Sequence, residues 1–334
     1  MIDTRIELVG KLNNTTRLIE PITEELEIIP SKEQQIVTPK EGIHGFNKVT
    51  IDKIPSEYIK PGGTIELNAN GEYDVKSYEK AKVNVGGLVI NDASYLFYQG
   101  SKLDIMSELI SLISPNCINF KYMFGQCKTI TGIPMIDTSN GTDLSYMFYQ
   151  CNAITEIPQI DTSKCTDFSY MFYYCSKLES IPLLNTSNGT NFSNMFYQCY
   201  ALTEIPPIDT SKNTNCSNMF SYCQNLETIP LLDLSKTTLV NGMFSYATKL
   251  KNLGGFKDYG KGLSTGHSTN QFTLDLSPCT LLTHESLMNV INNLYDLASA
   301  GIKPQKLKLS SKSLNLLSEE EKNVGINKGW NIST

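Results

Sequence analysis

Apolar and polar positions between residues 118 and 256 recur in one fixed order. Met-Phe pairs begin at Met123, Met147, Met171, Met195, Met219 and Met243, each step being 24 residues. Four residues after each Met come Cys127, Cys151, Cys175, Cys199 and Cys223, and then Ala247. Ile-Pro pairs begin at Ile133, Ile157, Ile181, Ile205 and Ile229, and Leu253-Gly254 closes the series. A fixed period of this size is the signature of a solenoid, in which each unit buries its apolar face only against its neighbours. Within one unit, Phe168, Met171, Phe172 and Cys175 stand at i, i+3, i+4 and i+7, which predicts a short helix. Leu178-Glu179-Ser180-Ile181 predicts a short strand that Pro182 ends, because proline cannot donate to a ladder. Asn185-Thr186-Ser187, and the similar phrases at Asp137, Asp161, Asp209 and Asp233, predict turns held by side chain to backbone bonds.

The flanks read differently. Residues 1–28 form a polar N-terminal attachment segment with extended alternations at Ile6 and Leu8 and at Leu26 and Ile28. Residues 29–87 read as a small all-β module. Gly45 to Ile51 and Ser77 to Val85 each end in an alternating run, and Asn70-Gly71 between Thr64–Leu67 and Glu72–Val75 predicts a hairpin. Residues 88–117 read as an N-terminal cap and degenerate repeat: Leu96-Phe97-Tyr98-Gln99-Gly100 echoes the repeat phrase, and an amphipathic stretch from Leu103 to Ile113 covers the open end. Residues 257–334 read as a C-terminal α/β cap. A strand over Phe272–Leu276 precedes a helix with Thr283 as N-cap and a stripe of Leu287, Val290, Ile291, Leu294 and Leu297 that ends before Gly301. Lys306–Leu309 alternates as a strand, Ser318 and three Glu open a last helix that Gly329 closes, and Trp330–Ser333 follows. The predicted fold is an α/β solenoid: leucine-rich-repeat-like coils of 24 residues over 118–256 with short parallel strands, a small all-β module before them and an α/β cap behind.

Composition narrows the chemistry. With 28 Lys and Arg against 34 Asp and Glu in 334 residues, no basic footprint marks a nucleic-acid partner. No apolar run of about 18 residues predicts membrane insertion, and the first residues lack the basic-then-apolar layout of a signal peptide, so export by that route is not expected. Five of the nine Cys share one repeat position beside Met and Phe, which points to thiols packed as small hydrophobes rather than bridges. No Cys-x-x-Cys pair and only three His make a zinc site a poor fit. His284-Glu285 falls in the first turn of a predicted helix, where Glu answers the helix dipole, and no His lies at i+4. No phosphate loop, nucleophile elbow or paired carboxylates for glycan cleavage are found, so no catalytic residue, cofactor or metal is assigned. The column Asp137, Asp161, Asp209 and Asp233 admits either calcium or bonds to each turn's own backbone. Asn185 in the same column favours the second.

Tyrosines also form columns: Tyr149, Tyr173 and Tyr197; Tyr174, Tyr222 and Tyr246; Tyr122, Tyr146 and Tyr170. Beside a buried Met-Phe pair these positions look outward, giving an aromatic ridge suited to a host cell-surface glycan or protein. The candidate contact surface is therefore Tyr146, Tyr149, Tyr170, Tyr173, Tyr174, Tyr197, Tyr222 and Tyr246, with the strand positions Glu156, Glu179 and Glu204.

Two resemblances add to this. Ile36–Pro39, Gly45–Ile51, Pro61–Thr64, Asn70–Val75 and Val83–Val85 are similar to a β-rich module of phage tail, baseplate and fibre proteins. Tyr170-Met171-Phe172-Tyr173-Tyr174-Cys175 with Leu178, Ile181-Pro182 and Asn185-Thr186-Ser187 resembles the BspA-like leucine-rich repeat first catalogued in mycoplasma lipoproteins, over about residues 118–256. Together they imply a non-enzymatic virion component, assembled in the host cytoplasm. Its N-terminal region would contact other virion proteins, its repeats the host cell, and by analogy it would be a homotrimer. The alternatives are a structural decoration or spacer protein of the virion, and a bacterial surface adhesin.

Overall fold

The structure, a computed structural model, describes five short strands before residue 92, then residues 92–100, 110, 113–263 and 272–334. Strands β1 (Gly10–Leu12) and β2 (Ile19–Pro21) pair antiparallel. Strands β3 (Gln35–Val37), β4 (Val49–Ile51) and β5 (Val89–Ile90) form an antiparallel sheet in that order. β4 is the run expected at the end of the Gly45 phrase. The expected Asn70-Gly71 hairpin, the Ser77–Val85 run, the alternations at Ile6–Leu8 and Leu26–Ile28, and most of Leu103–Ile113 lie outside the described residues.

From residue 92 the chain winds as a stack of coils. The N–H groups of Phe120, Tyr122, Phe124 and Gln126 donate to the carbonyls of Asp143, Ser145, Met147 and Tyr149 one coil on. The intervening N–H groups, of Met123, Gly125 and Cys127, bond back to Phe120, Tyr122 and Phe124. Residues 92–100 are the first such coil, with Ala93, Tyr95, Phe97 and Gln99 donating to Asn119, Lys121, Met123 and Gly125. This corrects the predicted helix. An α-helix sends every N–H to the carbonyl four residues back, whereas here alternate groups serve the local turn and the next coil. The φ angle is positive at two positions per coil, for example 57° at Tyr170 and 59° at Tyr174, so the segment is a run of tandem turns. Its brevity explains the outcome: helices under about 12 residues are marginal, and Phe, Ser, Tyr and Cys are middling helix formers. The turns still bury Phe168, Met171, Phe172 and Cys175 completely, which is why the spacing imitated an amphipathic helix.

The predicted strand is also sparser than expected. Leu178–Ile181 forms no strand; a few bonds tie that side, such as Glu179 N–H to Thr155 O at 2.9 Å and Glu227 N–H to Thr203 O at 2.8 Å. Single-residue parallel bridges run through the stack, but among the described repeat residues parallel strands of two residues form only at its end, between β6 (Thr228–Ile229) and β8 (Asn252–Leu253) and between β7 (Leu232–Asp233) and β9 (Phe256–Lys257). The Pro in each Ile-Pro pair, having no N–H, interrupts any longer ladder.

The core is a spine. Phe97, Phe124, Phe148, Phe172, Phe196, Phe220 and Phe244 stack coil on coil with centroids 5.2–5.9 Å apart. The Cys column lies beside it. Each thiol donates to a Phe carbonyl of the preceding coil: Cys127 to Phe97, Cys151 to Phe124, Cys175 to Phe148, Cys199 to Phe172 and Cys223 to Phe196, at 2.9–3.1 Å. All nine Cys are free and buried.

The C-terminal cap is a parallel sheet of β10 (Thr273–Asp275), β11 (Gln305–Lys308) and β12 (Trp330–Ser333) in that order. Its helices are His284–Asn293, Ser311–Leu314 and Glu319–Asn327. Thr283 caps the first helix, and Ser318 with Glu321 makes a reciprocal capping box on the last. The first helix stops earlier than its stripe implied, because Leu294 turns extended and pairs with Tyr259. It lies so close to the last coil that a Cβ on Gly255 (φ 100°) would stand 2.6 Å from Asn289 O. Ser286 Oγ joins cap and stack, donating to Lys251 O and accepting from Leu253 N–H, both at 2.9 Å.

Candidate binding face

The tandem turns place the tyrosines. Among the described residues every non-glycine residue with positive φ except Asp258 lies immediately before or three after the Met position. Tyr95, Tyr122, Tyr146, Tyr170, Asn194 and Asn218 fill the first of these columns, and Gln99, Gln126, Gln150, Tyr174, Gln198, Tyr222 and Tyr246 the second. Asn tolerates this conformation; Tyr and Gln accept it at a cost of about 1–2 kcal/mol each. The coil-to-coil bonds and ring contacts offset that cost.

The rings stack on one another. Tyr95, Tyr122, Tyr146 and Tyr170 form one row with centroids 4.3–4.7 Å apart. Tyr149, Tyr173 and Tyr197 form a second, at 5.0 and 4.7 Å and within 17° of parallel. Tyr222 and Tyr246 stack at 4.3 Å, and Tyr197 meets Tyr222 at 5.5 Å, which continues the second row to the last coil. Tyr174 meets Tyr200 edge-on at 6.1 Å. All these candidates are half-buried except Tyr246, which is 55% exposed. The ridge thus differs from a set of outward-pointing rings: the rings lie face against face, and each is only partly accessible. Burial pushes the phenol of Tyr146 up to about 12, with Tyr170 adding to the shift, and raises Tyr149 and Tyr173 for the same first cause. The hydroxyls of Tyr146, Tyr149 and Tyr173 stay protonated donors across the neutral range.

Glu156, Glu179 and Glu204 are exposed, but on the segment entering Ile-Pro, in two adjacent columns rather than one: Glu179 aligns with Thr155 and Thr203, and Glu204 pairs with Thr228. No described bond or ring contact joins them to the tyrosines, so the eleven proposed residues divide into a tyrosine face and a separate acidic edge. That side also exposes Met135, Leu183 and Leu231, one column interrupted by Gln159 and Pro207.

The Asp-Thr-Ser phrases work inward. Each Oδ1 of Asp137, Asp161, Asn185, Asp209 and Asp233 accepts the N–H of the Ser two residues on, at 2.8–3.2 Å. Bonds from Ser139 hold the Asp137 carboxyl below its usual range, and Ser163 does the same for Asp161. The following Thr, at Thr138, Thr162, Thr186 and Thr210, donates to the next coil's carbonyl at 2.6–2.9 Å. A second column, Asn119, Asp143, Asp167, Asn191 and Asn215, opens each tandem turn in the same way and was missed from sequence. The mixture of Asn and Asp in it was the available signal. His284 meets Glu321 at 2.8 Å, a surface link between two cap helices. Among the described residues no cluster of three His, Cys, Asp or Glu stands ready for a metal, and no helix is long and apolar enough to cross a membrane.

Stacked coils of this kind define a repeat solenoid. Residues 118–230 and 142–256 match the model of the family described as Mycoplasma protein of unknown function, DUF285. The crystal structure of T. pallidum leucine-rich repeat protein (TpLRR) is similar over 61% of this chain and 82% of its own, at 17% identity and a TM-score of 0.33. No curated protein matches.

Proposed function

We propose that the chain is a non-enzymatic binding protein that attaches to a host cell surface through the tyrosine face of its repeats, as a tail, baseplate or fibre component of a phage virion. The observation that carries the binding role is the row of tyrosines held half-exposed in a strained backbone conformation, coil after coil. A spacer needs the buried Phe and Cys columns but has no need of Tyr at positions that favour Asn or Gly. The virion setting rests on the likeness of residues 28–87 to the phage β module; that region contacts other virion proteins, and the chain assembles as a homotrimer. A second reading, a bacterial surface adhesin, is favoured by the family match of the repeat segment. Purified full-length chain incubated with whole bacterial cells tests the attachment role. Binding is expected, and a folded Tyr146→Ala/Tyr170→Ala/Tyr173→Ala variant loses it; undiminished binding by that variant removes the tyrosine face from the proposal. Sedimentation equilibrium reads the oligomer, and a monomer at micromolar concentration sinks the trimer.

A further inference from the structure

Between the Asp143 and Asp167 that open two of its turns, the tyrosine face itself carries no charged side chain. Residues 144–152, 168–176, 192–200 and 216–224 span the turn face of four successive coils and contain no Asp, Glu, Lys, Arg or His, in a chain that is 19% charged. The face is not apolar either, since its partly exposed positions are Tyr, Ser, Asn and Gln. Cations enter only at the first coil, where Lys121 Nζ stands 5.8 Å from the Tyr146 ring centre. Such a surface offers nothing to a polyanion, which is held by clustered positive charge, and little to a lipid or an apolar helix.

What it offers is periodic. Phenol edges recur along the rod in two rows at stacking distances of 4.3–5.0 Å. Because the ring faces are spent on each other, contact falls to ring edges and to hydroxyls, which also bond along the row (Tyr146 with Tyr122 and Tyr170) and to the Gln amides beside them (Gln150 to Tyr149). A one-dimensional array of neutral hydrogen-bonding groups matches a one-dimensional ligand that repeats neutral hydrogen-bonding groups. The surface of a globular protein without repeats offers no such array.

We infer that the tyrosine face binds a linear, uncharged polysaccharide laid along the solenoid axis, read through phenol hydroxyls rather than by stacking sugars on ring faces. This rests on the attachment role proposed above and names its ligand class.

The test is affinity electrophoresis of the full chain through gels containing barley β-glucan, xylan, linear mannan or dextran, with alginate as an anionic control. Retardation by at least one neutral polymer is expected, unchanged by added salt because no ion pair is involved. Affinity for its oligosaccharides should rise with length until the rows are spanned. Tyr146→Phe/Tyr170→Phe/Tyr173→Phe keeps the stacks and removes three hydroxyls; each lost contact weakens binding about fivefold, and the three together on the order of a hundredfold. Retardation by none of the neutral polymers, or equal binding by the Phe variant, overturns the inference. Whole-cell binding separates the two readings. Attachment that the Tyr→Ala variant loses, and that protease treatment of the cells abolishes while periodate does not, makes the ligand a protein and overturns the glycan alone. Attachment indifferent to the Tyr→Ala changes defeats both.

Discussion

Cysteine at a fixed repeat position does two jobs that no other side chain of its size combines. Its sulfur fills the small space beside the stacked Phe rings, and its S–H gives the Phe carbonyl of the previous coil a second, weak bond. Ala247 keeps the volume nearly right and drops the bond at the last Met-Phe coil. Cys175→Ala should therefore lower stability by about 1–2 kcal/mol, read as a shift in urea midpoint at constant slope. Burial pushes the thiols of Cys165, Cys216 and Cys223 up to about 12 and Cys175 higher, so none of these is a thiolate at neutral pH. A thiol reagent should leave these native thiols unmodified and count nine per chain in urea; rapid native labelling of Cys175 would contradict the packing. The tyrosines titrate in the opposite sense to an acid-labile carboxylate. The folded state holds the Tyr146 proton up to about 12, while an unfolded chain releases it near 10. The unfolded state thus binds fewer protons in that window, and stability falls as pH rises from 10 through 12. Urea midpoints taken across this range should drop, and less so in Tyr146→Phe.

At the scale of the element, the tandem turn replaces the helix that residue spacing predicted, and the predicted strand is reduced to scattered bonds and bridges. Asn194 occupies a positive-φ position already held by Gly242 in a later coil. Asn194→Gly should be nearly neutral, whereas Asn194→Val, β-branched and forced into that region, costs about 1–2 kcal/mol by chemical denaturation. An α-helix at this site would reverse the order, since Gly is the worse helix former. Spacing alone cannot separate the two structures: Phe168, Met171, Phe172 and Cys175 face inward in either. What separates them is the polar residue at two positions per coil, Tyr, Asn or Gln, and only Asn194, Asn218 and Gly242 there carry the usual mark of positive φ. The turns at Asp137, Asp161 and Asp209 were legible because Asp-x-Ser bonds are local. The cap was legible for the same reason: Thr283 and Ser318 announce their helices by chemistry within three residues. The sparse parallel strands were not, because their pairing depends on contacts a coil away and on the missing N–H of each Pro. The tyrosine columns were visible as columns, but that their faces would be covered by one another follows only from the rise between coils.

For the whole molecule, the consequence of the stack is that its length is adjustable only in whole coils. The contacts that join coils run from one residue to its counterpart, or to a neighbour of that counterpart, in the next coil: Asn119 to Asp143 to Asp167 to Asn191 to Asn215, Thr162 to Asn185, Phe172 to Phe196. Energies in such a stack are close to sums of coil and nearest-neighbour terms. Deleting residues 168–191 joins Asp167 to Phe192, two residues already adjacent in the repeat order, and brings Phe148 over Phe196 and Cys199 under the Phe148 carbonyl. The shortened chain should fold with the same circular dichroism band shape, a smaller urea slope in proportion to the surface it no longer buries, and a lower midpoint. Removing only residues 168–179 sets the Ile-Pro side of one coil against the Met-Phe side of the next and strands the Cys199 thiol without its carbonyl; that chain should lose cooperative unfolding. Equal behaviour of the two deletions would mean that the coils do not stack in register. The same whole-coil deletion shortens both tyrosine rows by one ring, so a ligand read along the axis should lose affinity for long oligosaccharides while short ones bind as before.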